Sequence, residues 1–250
     1  MIDVSRLDGK VVLVSGSGRG FGRSLAIAYA SAGAKVVSVA RSMNELLQTE
    51  KAIDDIGGEV MTVSTDLSRD EGIRHVHDQV IAAYGGLDVL VNNAATNSWL
   101  TVDNMTLKNW DNIINVNLRA PFALSLAFLP SMKAKGRGNI INITSRSAER
   151  TNLAQLAYCP SKFGLEGLTQ CLALELKEYN IAVNSLNVSA PSGQRLHSKT
   201  LAEALREGGE EEVLRLYKGK RILAVYSPVD WPDELVYQTP EGGFKTKYFI

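Results

Sequence analysis

Residues 157–162 read AYCPSK. Tyr158 and Lys162 stand four apart, so on a helix both polar tips fall on one face. A free phenol has a pKa of ~10 and is a poor base at neutral pH. An ammonium one turn away favours the phenolate, and a helix N-terminus acts in the same direction. The sequence therefore predicts a lowered pKa for Tyr158, which would suit it to passing a proton. Pro160 fits if the helix starts near Tyr158, because N–H groups of a first turn have no intrahelical partner. Thirteen residues upstream, Ser145 closes the apolar run INITS, at the kind of strand end where open α/β sheets bind ligands. Alone, a Tyr–Lys pair at this spacing is usually a surface contact and such a serine a turn or cap.

A second pattern gives the pair a context. SGSGRGFG, residues 15–22, follows the run VVLVS and opens a helical stretch. Gly16, Gly18, Gly20 and Gly22 permit a tight turn and close backbone approach, and the helix start offers free N–H groups to a pyrophosphate. Ser15 precedes those glycines, Ser17, Arg19 and Phe21 lie between them, and all four belong to the same expected dinucleotide site. An NAD site would hold an acidic residue at the end of the second strand. This chain has SVARS there. Ala40 cannot bind a pair of ribose hydroxyls. Arg41, beside Ser42, and Arg19 in the turn offer guanidinium forks to a 2′-phosphate, which favours NADP over NAD. The alternative is that Arg41 and Ser42 merely start the next helix.

The elements that must position these groups are legible as an alternation. Val/Ile-rich runs at 11–15, 35–40, 59–64, 88–92, 139–144 and 182–187 read as strands buried on both faces. Helical spacing covers about 21–32, 43–56, 69–84, 107–135 and 158–179. The fold class expected is α/β: a doubly wound parallel sheet of the Rossmann kind, with helices on both faces, in a single domain over 1–250. Residues 188–227 break the rhythm and read as a substrate-side loop and helix insertion. A seventh strand is a weak candidate at 244–250.

Composition bounds the function. Lys+Arg and Asp+Glu are each 27, for a net charge of zero, and no basic stripe marks a nucleic-acid partner. The two cysteines, Cys159 and Cys171, are too far apart along one helix to be bridged, and no metal-ligand spacing occurs. The first ten residues have no apolar core of a signal peptide, and no run approaches the ~18 apolar residues of a membrane span. The expectation is a soluble cytoplasmic protein with no metal, nucleic-acid or membrane partner.

Taken in order, SGSGRGFG (15–22), DL (66–67), NNAA (92–95), NVNL (115–118), INITS (141–145) and YCPSK (158–162) resemble the short-chain dehydrogenase/reductase family, over about residues 8 to 187. The resemblance implies that Tyr158 passes the proton, Lys162 holds the nicotinamide ribose, Ser145 bonds the carbonyl, and Asn117 holds a relay water. Asn115 is the nearby alternative to Asn117. It further implies that Asp66, Leu67, Asn93 and Ala94 border the cofactor, with Val188 and Ser189 against the nicotinamide. Those last two stand where the family has a Pro-Gly pair, and here Pro191 and Gly193 come later. The activity implied is hydride transfer between NADP(H) and a ketone, aldehyde or secondary alcohol. Two other readings are a non-catalytic NADP(H)-binding regulator and a 3-oxoacyl-thioester reductase. Trp99, Leu100, Leu153 and Leu196 suggest an apolar wall for the substrate. Assembly as a homotetramer or homodimer through the two long helices is also implied.

Overall fold

The computed structural model describes residues 7–188 and 224–225. Six strands lie parallel: β1 Val11–Ser15, β2 Lys35–Ala40, β3 Glu59–Ser64, β4 Val89–Asn92, β5 Gly138–Ser145 and β6 Ile181–Val188. The sheet order is β3-β2-β1-β4-β5-β6, and a two-residue antiparallel strand, β7 Ala224–Val225, is added beside β6. Leu196, Ser189, the Pro191–Gly193 segment and the weak candidate strand at 244–250 lie outside the described residues, as does most of 188–227.

Between the strands run α1 Gly20–Ser31, α2 Met43–Asp54, α3 Asp70–Tyr84, α4 Leu107–Ile114, α5 Ala120–Lys135 and α6 Tyr158–Leu176. Strand side chains alternate faces, and both faces are covered. Leu13, Val37, Leu90, Ile140 and Val183 pack with Val76 and Val80 of α3, Leu124, Phe128 and Met132 of α5, and Leu172 and Leu176 of α6. Val12, Val14, Val36, Val91 and Ile143 face the other way, onto Leu25, Ala26 and Tyr29 of α1 and Ile53 of α2. This is the doubly wound arrangement, with each buried aliphatic worth ~1.5–3 kcal/mol. The strand order reverses between β1 and β4, and the carboxyl ends of those strands open the crevice where such sheets bind ligands.

The stretch read as one helix over 107–135 is interrupted. Residues Asn115–Arg119 form a π-turn in which Ala120 N–H donates to the Asn115 carbonyl. Pro121 explains it: it has no N–H for the Asn117 carbonyl, so the ladder widens. By length and mean hydropathy, 1.3 over its most apolar window, 107–135 could cross a membrane. This differs from the expectation that no run reaches the length of a membrane span. Leu124, Phe128 and Met132 are instead core residues, which is what the apolar character of this helix provides.

Candidate active site

Tyr158 is the first residue of α6, as Pro160 predicts. It is half-buried, and the Ser145 side chain is close enough to hydrogen-bond the phenol. Ser145 ends β5 and accepts the Ser147 N–H at 3.2 Å, which caps the short turn after the strand. Lys162, only 2% exposed, lies one turn along. Its Nζ donates to the Ile143 carbonyl at 2.8 Å and sits 5.8 Å from the centre of the Tyr158 ring. Three side chains from two elements thus converge at the carboxyl end of β5.

The electrostatics differ from the expectation. Burial pushes the Tyr158 phenol up, and the Ser145 hydrogen bond only partly offsets it. Burial likewise lowers the Lys162 ammonium to about 8, against the opposing pull of Glu166. The predicted lowering of Tyr158 by Lys162 is therefore not found. Desolvation penalises each charged form by more than the partner returns, and the lysine's proton points at a backbone carbonyl.

Asn117 sits in the π-turn, fully buried. Its carboxamide accepts Thr96 N–H at 2.8 Å and donates to the Thr96 carbonyl at 2.9 Å and to Ser161 Oγ at 3.0 Å. Ser161 Oγ in turn donates to the Tyr158 carbonyl at 2.7 Å. The side chain thus fastens the segment after β4 to the first turn of α6. The segment between Ser145 and Tyr158 is held by Gln155, whose Oε1 accepts from Ser147 Oγ at 2.9 Å and lies 3.4 Å from Cys159 Sγ.

The glycine turn leaves β1 as expected. Gly16 has φ +68°, and a Cβ there would come within 2.8 Å of Ala94 Cα. A Cβ on Gly22 would meet the Gly16 carbonyl oxygen at 2.3 Å. Ser15 Oγ accepts the N–H groups of Asn93 and Ala94, both at 3.0 Å, and Asn93 Nδ2 donates to the Ser15 carbonyl at 2.8 Å. Ser17 is buried against Ser38, their hydroxyls 2.7 Å apart. Gly18 and Gly20 complete the turn, Phe21 packs half-buried on the core, and Arg19 is exposed. Arg41 is exposed at the end of β2, and Ser42 caps α2 by accepting the Glu45 N–H at 3.3 Å.

Asp66 accepts from the Ser68 N–H and hydroxyl at 3.0 and 2.8 Å, a turn that leads into α3. Burial would raise its carboxyl. The two Ser68 hydrogen bonds, with Arg41 and Arg69 nearby, outweigh this and hold it below the usual carboxylate range. Leu67 is a core residue. Val188 is half-buried and in register with Ser145. On the substrate side, Trp99 and Leu153 are exposed, and Leu100 bridges to Gln155.

Sequence reasoning missed the braces behind these residues. Arg23 donates from Nε to the Gly18 carbonyl at 3.1 Å and to Thr49 Oγ1 at 3.1 Å, and its Nη2 also reaches the Gly18 carbonyl. Thr49 Oγ1 donates to the Ser17 carbonyl at 2.9 Å. Thr49 interrupts the apolar stripe Leu46–Ile53 of α2, and a polar residue in a buried stripe is the signal that could have revealed it. Buried Asn92, Asn142 and Thr169 form a second chain of bonds, at 2.8 and 2.9 Å, joining β4, β5 and α6.

With that geometry in hand, known proteins give a concordant picture. The family model for short chain dehydrogenase matches residues 10–200. The 3-oxoacyl-(acyl-carrier-protein) reductase FabG of Thermotoga maritima is 32% identical over 220 residues, 84% of this chain and 89% of the relative. A 3-alpha-(or 20-beta)-hydroxysteroid dehydrogenase of Mycobacterium tuberculosis is 38% identical, over 73% and 69% of the two chains. The crystal structure of a metagenomic short-chain oxidoreductase in complex with NADP superposes with a TM-score of 0.72 at 36% identity, covering 81% of this chain and 90% of that one. The chain belongs to the short-chain dehydrogenase/reductase family of oxidoreductases.

Proposed function

We propose that this chain catalyses reversible reduction of a ketone or aldehyde to an alcohol with NADP(H), Tyr158 acting as general acid in one direction and general base in the other. The observation that carries the reading is the buried Lys162 ammonium beneath Tyr158, with Ser145 beside the phenol. A solvated surface pair would be exposed and would gain little from its geometry.

The residues fit a dinucleotide. The turn approaches so closely at Gly16 and Gly22 that no Cβ is accommodated, and the α1 N-terminus lies just beyond. Ser15 to Gly22, Asp66, Leu67, Asn93 and Ala94 would line it, Arg19, Arg41 and Ser42 would meet its 2′-phosphate end, and Val188 would lie at the other end. Such a cofactor supplies or accepts the hydride. The protein's own part is proton management. Ser145 donates to the substrate oxygen, and the Tyr158 phenol, which burial keeps in its protonated form, gives up its proton there. Lys162 would hold the ribose and share charge with the phenol. Asn117 has committed its carboxamide, so a relay water would be held by its main-chain carbonyl, which lacks its α-helical donor.

Two finer readings belong with this one. The likeness to FabG favours 3-oxoacyl thioesters as the second substrate class to test. Phe122 and Leu126 on α5 and Phe163 and Leu174 on α6, all 44–60% exposed, support assembly as a homodimer or homotetramer through these helices. The test is NADPH and NADH oxidation over a panel of ketones, aldehydes and 3-oxoacyl thioesters. Turnover with at least one carbonyl, faster with NADPH, is expected. Binding of NADPH with no turnover on any of them would favour the regulatory alternative.

A further inference from the structure

The carboxyl end of β2 carries no acidic residue, yet a carboxylate stands beside it. Glu45, in the first turn of α2, pairs through Oε1 with Arg19 Nη1 at 3.4 Å. A Cβ built on Gly18 would lie 3.3 Å from Glu45 Oε2 and 3.2 Å from the Ala40 side chain. The Glu45 carboxylate therefore hangs between the glycine turn and the end of β2, where a dinucleotide's adenosine ribose is read. Its position is built. The Glu45 N–H is capped by Ser42, and its carbonyl accepts from Arg23 at 3.2 Å and Thr49 at 3.2 Å. The side chain is 34% exposed, against 79% for Arg19. Ser42 and Glu45 have the spacing of a capping box, in which the glutamate would return to the Ser42 N–H. Here it goes to Arg19 instead.

We infer that Glu45 is a coenzyme-discriminating residue. Its carboxylate opposes a 2′-phosphate and occupies one of the two guanidiniums that would grip it. It also supplies the ribose-facing acceptor that Ala40 cannot. The charged groups gathered there are Arg19, Arg23, Arg41 and Arg69 against Glu45 and Asp66. Glu45 is the carboxylate placed over the glycine turn, so it sets how far the site favours NADP(H) over NAD(H). The inference rests on the dinucleotide reading above and goes beyond it in predicting a restrained preference.

Binding without turnover tests it. Calorimetric affinities for adenosine 2′,5′-bisphosphate and for 5′-AMP are compared in the wild type, Glu45→Gln and Glu45→Asp. Glu45→Gln should bind the bisphosphate ~3- to 5-fold more tightly, as expected for release of a partly screened pair, with 5′-AMP unchanged or weaker. Glu45→Asp, which keeps the charge, should stay near the wild-type ratio and separates loss of charge from any change of side chain at this position. The NADPH-to-NADH ratio of kcat/KM should move with the binding ratio. A bisphosphate-to-AMP ratio that Glu45→Gln leaves within about twofold of wild type would overturn the inference. The NADP reading is judged separately, by Arg41→Ala: it fails if that variant leaves bisphosphate affinity intact.

Discussion

An ammonium buried against a carbonyl, as Lys162 is against Ile143, holds its proton less tightly than in water. Its pKa is lowered from 10.5 to about 8. Below pH 8 both the folded and unfolded chains carry the proton, and the full cost of burying the charge falls on the folded state. Between pH 8 and 10.5 the unfolded chain binds more protons, so stability rises with pH. Lys162→Met removes this charge along with its hydrogen bond to Ile143, so the variant's stability relative to wild type should be highest at pH 7 and should fall as the pH rises from 8 to 10.5. Thermal melts of both proteins from pH 7 to 11 check it, and a difference that does not change with pH would count against a buried charge. At this scale the sequence disclosed which residues meet, because Ser145, Tyr158 and Lys162 stand in an ordered set of motifs. It did not disclose the direction of the Tyr158 shift. That depends on how much protein covers the phenol, which no spacing of four residues reveals.

Helix and strand ends do the positioning. Strand limits were readable to within a residue or so, because continuous Val/Ile runs bounded by polar residues leave little freedom. The π-turn at 115–119 was not foreseen, although its cause, Pro121, was in plain view. In the stretch read as one helix over 107–135, Pro121 stands in the interior, where its missing N–H must break the ladder, and the spacing of apolar residues alone does not register that. The Arg23 and Thr49 braces were illegible for another reason: their partners are set by how α2 packs on the glycine turn. That packing makes a sharp prediction at Gly22. In Gly22→Ala the new methyl would overlap the Gly16 carbonyl at 2.3 Å and the Asn93 amide at 2.4 Å. The turn must shift, at a cost of ~1–3 kcal/mol as for other overpacked sites. NADPH affinity should fall at least tenfold by fluorescence titration while the far-UV spectrum stays helical and sheet-like. Unchanged affinity would mean that the turn is not the cradle.

The whole molecule adds an edge and an outer surface. The six parallel strands follow from the alternation in the sequence, whereas the short antiparallel β7 at 224–225 does not, since so brief a strand has no periodicity to read. The exposed apolar rows on α5 and α6 belong to this scale too. A partner face and a core face have the same composition in sequence, and only the fold shows that Phe122 and Leu126 point away from Phe128 and Met132. Leu126→Glu should shift the protein to a smaller species in analytical ultracentrifugation without unfolding it. An unchanged sedimentation coefficient would refute these helices as the interface. In the proposed function, sheet, turn and α6 together serve one proton transfer, and replacing the Tyr158 hydroxyl by hydrogen tests it most directly. Tyr158→Phe should bind NADPH within about twofold of wild type by fluorescence titration, and its turnover of the best carbonyl substrate should drop by ~10²–10⁴-fold. Turnover near the wild-type rate, with NADPH bound equally well, would contradict Tyr158 as the acid.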